Sequence, residues 1–112
     1  MKIYHNPRCT KSRETLALLN EANVTVEIVE YLKEIPTTEE LKEILSKLQL
    51  APIDLVRKGE AIYKESYKGK ELTDDEWIQA MIENPKLIER PIVVKGDKAI
   101  IGRPPESVKT LL

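Results

Sequence analysis

The sequence predicts an α/β fold: a mixed sheet made by an opening β-α-β unit and a closing β-β-α unit. A helical insert separates them over about residues 37–84. Three observations predict this. Short strand-like apolar runs lie near the two ends of the chain, while helical periodicity with two capping patterns fills the middle. The third is length: 112 residues are one domain's worth of chain and enough to bury a core without disulfides.

Ile3-Tyr4-His5 reads as a strand cut off by the Asn6-Pro7 turn. From Thr10 the pattern turns helical, with Leu16, Leu19 and Asn23 in one row and Leu18 and Ala22 beside it. Val24, Val26 and Ile28 then alternate with Thr25, Glu27 and Val29, a second strand; a strand–helix–strand order belongs to a parallel pair. After Pro36, Thr37 and Glu40 have capping-box spacing. Leu41, Ile44, Leu45 and Leu48 follow at i, i+3, i+4, i+7, the clearest amphipathic helix in the chain. Pro52 opens a short helix carrying Ile53 and Val56.

Residues 57–72, charged and holding Gly59 and Gly69, read as irregular or weakly helical. Thr73 and Glu76 form the second capping box; Trp77, Ile78, Met81 and Ile82 give that helix its apolar face, and Asn84-Pro85 stops it. Pro91-Ile92-Val93-Val94 reads as a buried strand, Lys95-Gly96-Asp97-Lys98 as a hairpin turn and Ala99-Ile100-Ile101 as its partner. Pro104-Pro105-Glu106 opens a last helix with Val108 and Leu111 facing inward. This order, with a cysteine just after the first strand, is the thioredoxin-like, glutaredoxin-type arrangement, predicted as a single domain over residues 1–112.

Composition narrows the function. With 18 Lys+Arg against 19 Asp+Glu the net charge is -1, without the basic excess of a nucleic-acid-binding module. No apolar run approaches the length of a helical membrane span, and the first residues hold no apolar stretch of signal-peptide length. One cysteine, Cys9, excludes an internal disulfide and a multi-cysteine zinc site, and one histidine, His5, leaves little for a metal. A cytoplasmic protein with no bound cofactor is the expectation. The charges are nevertheless segregated. Lys2, Arg8, Lys11 and Arg13 open the chain without an acid among them, the middle is acidic, and residues 85–105 are basic again. A fold that joins the ends makes a positive field around Cys9.

Cys9 stands between the Pro7 turn and the first predicted helix. Unpaired backbone N–H groups and the positive end of the helix dipole favour thiolate over thiol at such a place, and Arg8, Lys11 and Arg13 are expected to push the same way. A thioredoxin-type Cys-x-x-Cys pair is not completed, because position 12 is Ser12; a disulfide formed by Cys9 must be resolved by a thiol of another molecule. The same N–H groups and cations suit an oxyanion. A phosphatase loop would need arginine at position 15, which is Thr15.

His5-Asn6-Pro7-Arg8-Cys9-Thr10-Lys11-Ser12-Arg13 resembles the signature of the glutaredoxin-coupled arsenate reductases. Leu87-Ile88-Glu89-Arg90-Pro91-Ile92-Val93-Val94 resembles their second motif and Gly102-Arg103-Pro104-Pro105-Glu106 their third. The resemblance implies reduction of arsenate to arsenite: Cys9 attacks arsenate, glutathione as co-substrate adds to the arsenic, and glutaredoxin helps complete the reduction. It implies that Arg57, Arg90 and Arg103 hold the oxyanion, that His5 tunes or shelters the thiolate, that Ser12 and Arg13 support the loop, and that Pro91 is cis. Guanidinium groups suit the task, since they stay charged and bind oxyanions bidentately. Two alternatives stay open on the sequence: a thiol-dependent relative acting on a glutathione mixed disulfide, and a regulatory binding protein similar to the Spx regulators that contact RNA polymerase. Those regulators commonly carry Cys-x-x-Cys, against which Ser12 stands.

Overall fold

The computed structural model describes all 112 residues, in two compact units: residues 1–34 with 90–112, and residues 35–89. The first unit holds the sheet. Strand β1 (Lys2–Tyr4) is followed by helix α1 (Thr10–Glu21) and strand β2 (Glu27–Val29); after the second unit come β3 (Ile92–Lys95), β4 (Lys98–Ile101) and a 3-10 helix over Pro105–Leu111. The strand order is β2-β1-β3-β4, with β1 parallel to β2 and antiparallel to β3, and β3 antiparallel to β4. The fold is thioredoxin-like, as the sequence predicts.

Beginning and end of the chain meet on β1. Ile3 pairs with Ile28 on one side and Val93 on the other. Ile3, Leu19, Val93, Val108 and Leu111 form one buried cluster, which packs α1 and the terminal 3-10 helix against the sheet. Val108 and Leu111 point inward as expected, but the helix is 3-10. Its three-residue turn brings positions i and i+3 onto one line, which suits that pair.

Two expectations in this unit need correction. The second strand is only Glu27–Val29, because β1 has three residues and offers them only Lys2, Ile3 and Tyr4 as partners; Val24 and Val26 stay outside the ladder. The inward row of α1 is Ser12, Thr15 and Leu19, not Leu16, Leu19 and Asn23. Leu16 and Leu18 flank the core, and Asn23, at φ 57°, takes the left-handed conformation just past the helix. Polar Ser12 and Thr15 are wholly buried, a cost that hydrogen bonds must offset.

The second unit is helical: α2 (Thr38–Leu48), α3 (Pro52–Leu55), α4 (Ala61–Ser66), α5 (Asp74–Glu83) and a 3-10 turn over Pro85–Leu87. Both predicted capping boxes form, Thr37 with Glu40 and Thr73 with Glu76. Leu41, Ile44 and Leu45 of α2 and Trp77, Ile78, Ala80 and Met81 of α5 are buried. The stretch read as irregular or weakly helical holds α4, whose Tyr63, with the following Tyr67, sets its ring beside Trp77. Val56 does not continue α3; it bridges to Ile88, flanked by Arg57 N–H to Leu87 O at 2.7 Å and Glu89 N–H to Leu55 O at 2.9 Å. No helix is long and apolar enough to cross a membrane.

Leu19, with no exposed surface, tests the core. Leu19→Ala is expected to lower unfolding stability by roughly 2–5 kcal/mol, read from urea denaturation.

Candidate active site

Cys9 is the N-cap residue of α1, in extended conformation (φ -93°, ψ 123°). The loop before it is tied by short-range bonds. Asn6 Oδ1 accepts from the Arg8 N–H at 3.0 Å, and the Cys9 N–H donates to Asn6 O at 3.0 Å. Arg13 returns to this loop from the first turn of α1, donating through Nη1 to Pro7 O at 3.0 Å and through Nη2 to Thr10 Oγ1 at 3.3 Å.

Ser12 explains why a polar residue points inward. Its Oγ accepts from the Asn6 N–H at 3.0 Å and lies 2.6 Å from His5 Nδ1, while its backbone N–H is aimed at the Cys9 sulfur. One serine thus fixes the loop, the imidazole and the thiol. Burial favours the neutral His5 ring; Glu30 opposes this and Arg13 reinforces it, and the pKa lies below the ordinary histidine value. A neutral ring accepts the serine proton at Nδ1 and keeps its own on Nε2, the tautomer assigned by this hydrogen-bond pattern.

Arg90 and Arg103 arrive from the other end of the chain. Arg90 precedes Pro91 across a cis peptide bond at the entry to β3, and Arg103 follows β4. Arg103 Nε donates to Arg90 O at 2.8 Å and its Nη2 stands 3.5 Å from Cys9 Sγ. Arg90 hydrogen-bonds the sulfur as well. Partial burial of the sulfur resists ionisation. Against it act the Ser12 N–H, the Arg90 hydrogen bond and the charges of Arg103 and Arg90; these prevail, and the thiol lies below its ordinary pKa.

Here the local expectation is corrected. The cations acting on the sulfur are Arg90 and Arg103, not the neighbours Arg8, Lys11 and Arg13. Arg13 is engaged by the loop and Lys11 pairs with Glu14 at 3.7 Å. An exposed lysine pairs with its nearest carboxylate, whereas the strand ends deliver Arg90 and Arg103 to the sulfur.

Arg57, the remaining predicted arginine, belongs to the helical unit. Its Nη1 donates to Glu89 Oε1 at 3.0 Å, and its Nε lies 3.6 Å from Glu60 Oε2. Sequence reasoning did not identify these acidic partners, although Glu60 is three residues from Arg57 and Glu89 lies in the second motif. It also passed over Thr15 and Gly102, which meet beneath the Arg103 loop: Thr15 Oγ1 donates to Lys11 O at 2.9 Å and stands 3.4 Å from Gly102 O. A threonine on the inward row of α1 was the available signal.

A thiol at a helix start, in a β-α-β/β-β-α sheet and under two guanidinium groups, defines a thioredoxin-like thiol protein. Residues 4–111 match the ArsC family model, and the chain belongs to the ArsC family. It is 42% identical to an arsenate reductase of Neisseria meningitidis, over 100% of this chain and 97% of that one. It is 50% identical to the uncharacterized protein YfgD of Escherichia coli, over 96% and 92%. The solved structure of an arsenate reductase from Vibrio cholerae superposes with a TM-score of 0.94 at 47% identity, covering 100% of this chain and 98% of that one.

Alkylation of Cys9 by iodoacetamide, followed against pH, is expected to show a midpoint below that of free cysteine, and Arg103→Ala should raise it. His5 gives a second pH signature. With its folded pKa depressed, its contribution to stability is fully present above the unfolded value of about 6.5 and is lost as pH falls through the folded pKa. Denaturation of a Cys9→Ser chain should therefore show stability falling below about pH 6.5, with a smaller fall when His5→Gln is added.

Proposed function

We propose that this protein reduces arsenate to arsenite through Cys9, with glutathione and glutaredoxin supplying the electrons. The observation that carries the reading is a single thiol at the N-terminus of α1 with Arg90 and Arg103 at its sulfur. The similarity to arsenate reductases of Neisseria meningitidis and Vibrio cholerae supports it.

The chemistry requires such an arrangement. A thiolate and an arsenate anion repel each other unless cations lie between them. Guanidinium groups neutralise the oxyanion bidentately and strengthen their hold as charge builds on oxygen during attack, the electrostatic contribution that usually dominates. Sulfur displaces one arsenic-bound oxygen, which leaves as water with the protons supplied. Reduction from arsenate to arsenite takes two electrons: two thiols are oxidised to one disulfide. Cys9 is the one cysteine of these 112 residues, so the second thiol comes from another molecule, glutathione in this reading, and glutaredoxin resolves the disulfide formed.

Each residue then has a role. Cys9 is the nucleophile; Arg90 and Arg103 hold the oxyanion and the thiolate. Arg57 is assigned to the same anion on the family resemblance alone, with Glu60 and Glu89 restraining its side chain. His5, Ser12 and Arg13 support the loop, and Pro91 sets the entry to β3. Ser12 is a structural ligand of the loop, not a substitute for a resolving thiol.

The test is an arsenate-to-arsenite assay with glutathione and glutaredoxin. Cys9→Ser is expected to abolish turnover, and Arg90→Ala to lower kcat by on the order of 10²–10³, the usual worth of one oxyanion donor. Substantial arsenite formation by Cys9→Ser would overturn the reading. A folded wild type that reacts with iodoacetamide yet leaves arsenate untouched would overturn the substrate assignment alone.

A further inference from the structure

We propose that Gly102, seated without a side chain against Thr15 and Pro91, is a positioning residue that sets where the Arg103 guanidinium meets the Cys9 sulfur. The inference rests on the reading of Cys9 as the reacting thiolate and Arg103 as one of its cations.

The close approach is steric. A Cβ at Gly102 would stand 2.6 Å from Thr15 Oγ1, 2.9 Å from Pro91 Cγ and 3.1 Å from Thr15 Cγ2. Neither neighbour can give way cheaply. Thr15 is wholly buried on the inward row of α1 with its hydroxyl bonded to Lys11 O, and the Pro91 ring is buried beside it. Gly102 is also held by its own backbone, its N–H donating to Pro91 O at 2.9 Å. A side chain there would push the strand end away from α1 by several tenths of an ångström.

That displacement reaches the sulfur through one residue. Arg103 is the next in sequence; its N–H donates to Ile101 O, its Nε to Arg90 O, and its Nη2 stands at 3.5 Å from Cys9 Sγ, an ordinary hydrogen-bond distance to sulfur. The two ends of this contact share a base. Helix α1 carries Cys9 at its N-cap and Thr15 about one and two-thirds turns further along, so the helix that places the sulfur also places the stop for Gly102. Without a Cβ, Gly102 lets the guanidinium-bearing loop settle onto that stop. The smallest residue in the third motif is therefore where the thiol–cation distance is set.

The experiment follows iodoacetamide alkylation of Cys9 against pH in the full chain and needs no arsenate. Arg103→Ala raises the midpoint and supplies the scale. Gly102→Ala is expected to raise it by more than half of that amount, and Gly102→Ala combined with Arg103→Ala to raise it no further than Arg103→Ala alone. A folded Gly102→Ala chain with the wild-type midpoint overturns the proposal, as does a double variant whose rise is the sum of the two. Should Gly102→Ala fail to fold, Thr15 decides the matter. Thr15→Ala removes the stop and is expected to raise the midpoint, while Thr15→Ser keeps the nearer atom, Oγ1, and restores it. A Thr15→Ala chain that loses thermal stability but keeps the wild-type midpoint assigns a merely structural role and overturns the proposal. If arsenate turnover is absent while the alkylation pattern holds, the proposed function falls and this inference stands.

Discussion

A partly buried sulfur whose pKa lies below the ordinary thiol value has to be compensated from several directions, and the architecture of the sheet-bearing unit follows from that constraint. Desolvation alone raises a thiol's pKa. Here it is outweighed by the Ser12 N–H at the start of α1 and by Arg90 and Arg103 from the far end of the chain. Helix start and guanidinium pair converge only because β3 runs antiparallel to β1 in the middle of the sheet, placing both ends of β3–β4 beside the loop that leaves β1.

The guanidinium groups are themselves constrained. Arg103 donates to the carbonyl of Arg90, so the two arginines are held as a pair. Preorganisation of this kind matters more than charge count, since a cation already in place needs no reorganisation when charge develops on oxygen. The loop before Cys9 is fixed in the same way. Buried Ser12 bonds Asn6 and His5, and Arg13 clasps Pro7 and Thr10, so two residues of α1 secure the loop that ends at the thiol.

The helical unit builds its stability by other means: two capping boxes, an apolar interface among α2, α3 and α5, and tyrosine rings beside Trp77. Within it Arg57 is shared between Glu60 and Glu89. A guanidinium engaged by two carboxylates is oriented, and part of its attraction for any further anion is already satisfied.

Local chemistry made much of this legible in the sequence. Capping boxes, the Lys95–Lys98 turn, the prolines that open α3 and the two 3-10 helices and the cysteine at a helix start are written in residues a few positions apart, where propensity and hydrogen-bonding capacity act directly. The family motifs also marked Arg90 and Arg103. Tertiary structure decided which cations reach the sulfur, because Arg8, Lys11 and Arg13 are closest in sequence while Arg90 and Arg103 are the ones that act on the sulfur. It decided the inward row of α1 as well: periodicity favoured leucines, but Ser12 and Thr15 face inward because partners outside the helix stand there to receive them, His5 seven positions before Ser12 and Gly102 at the far end of the chain from Thr15. Hydrophobic pattern reports a helix's average preference for burial; which polar groups find partners inside depends on contacts that exist only once the sheet has brought the chain's two ends together.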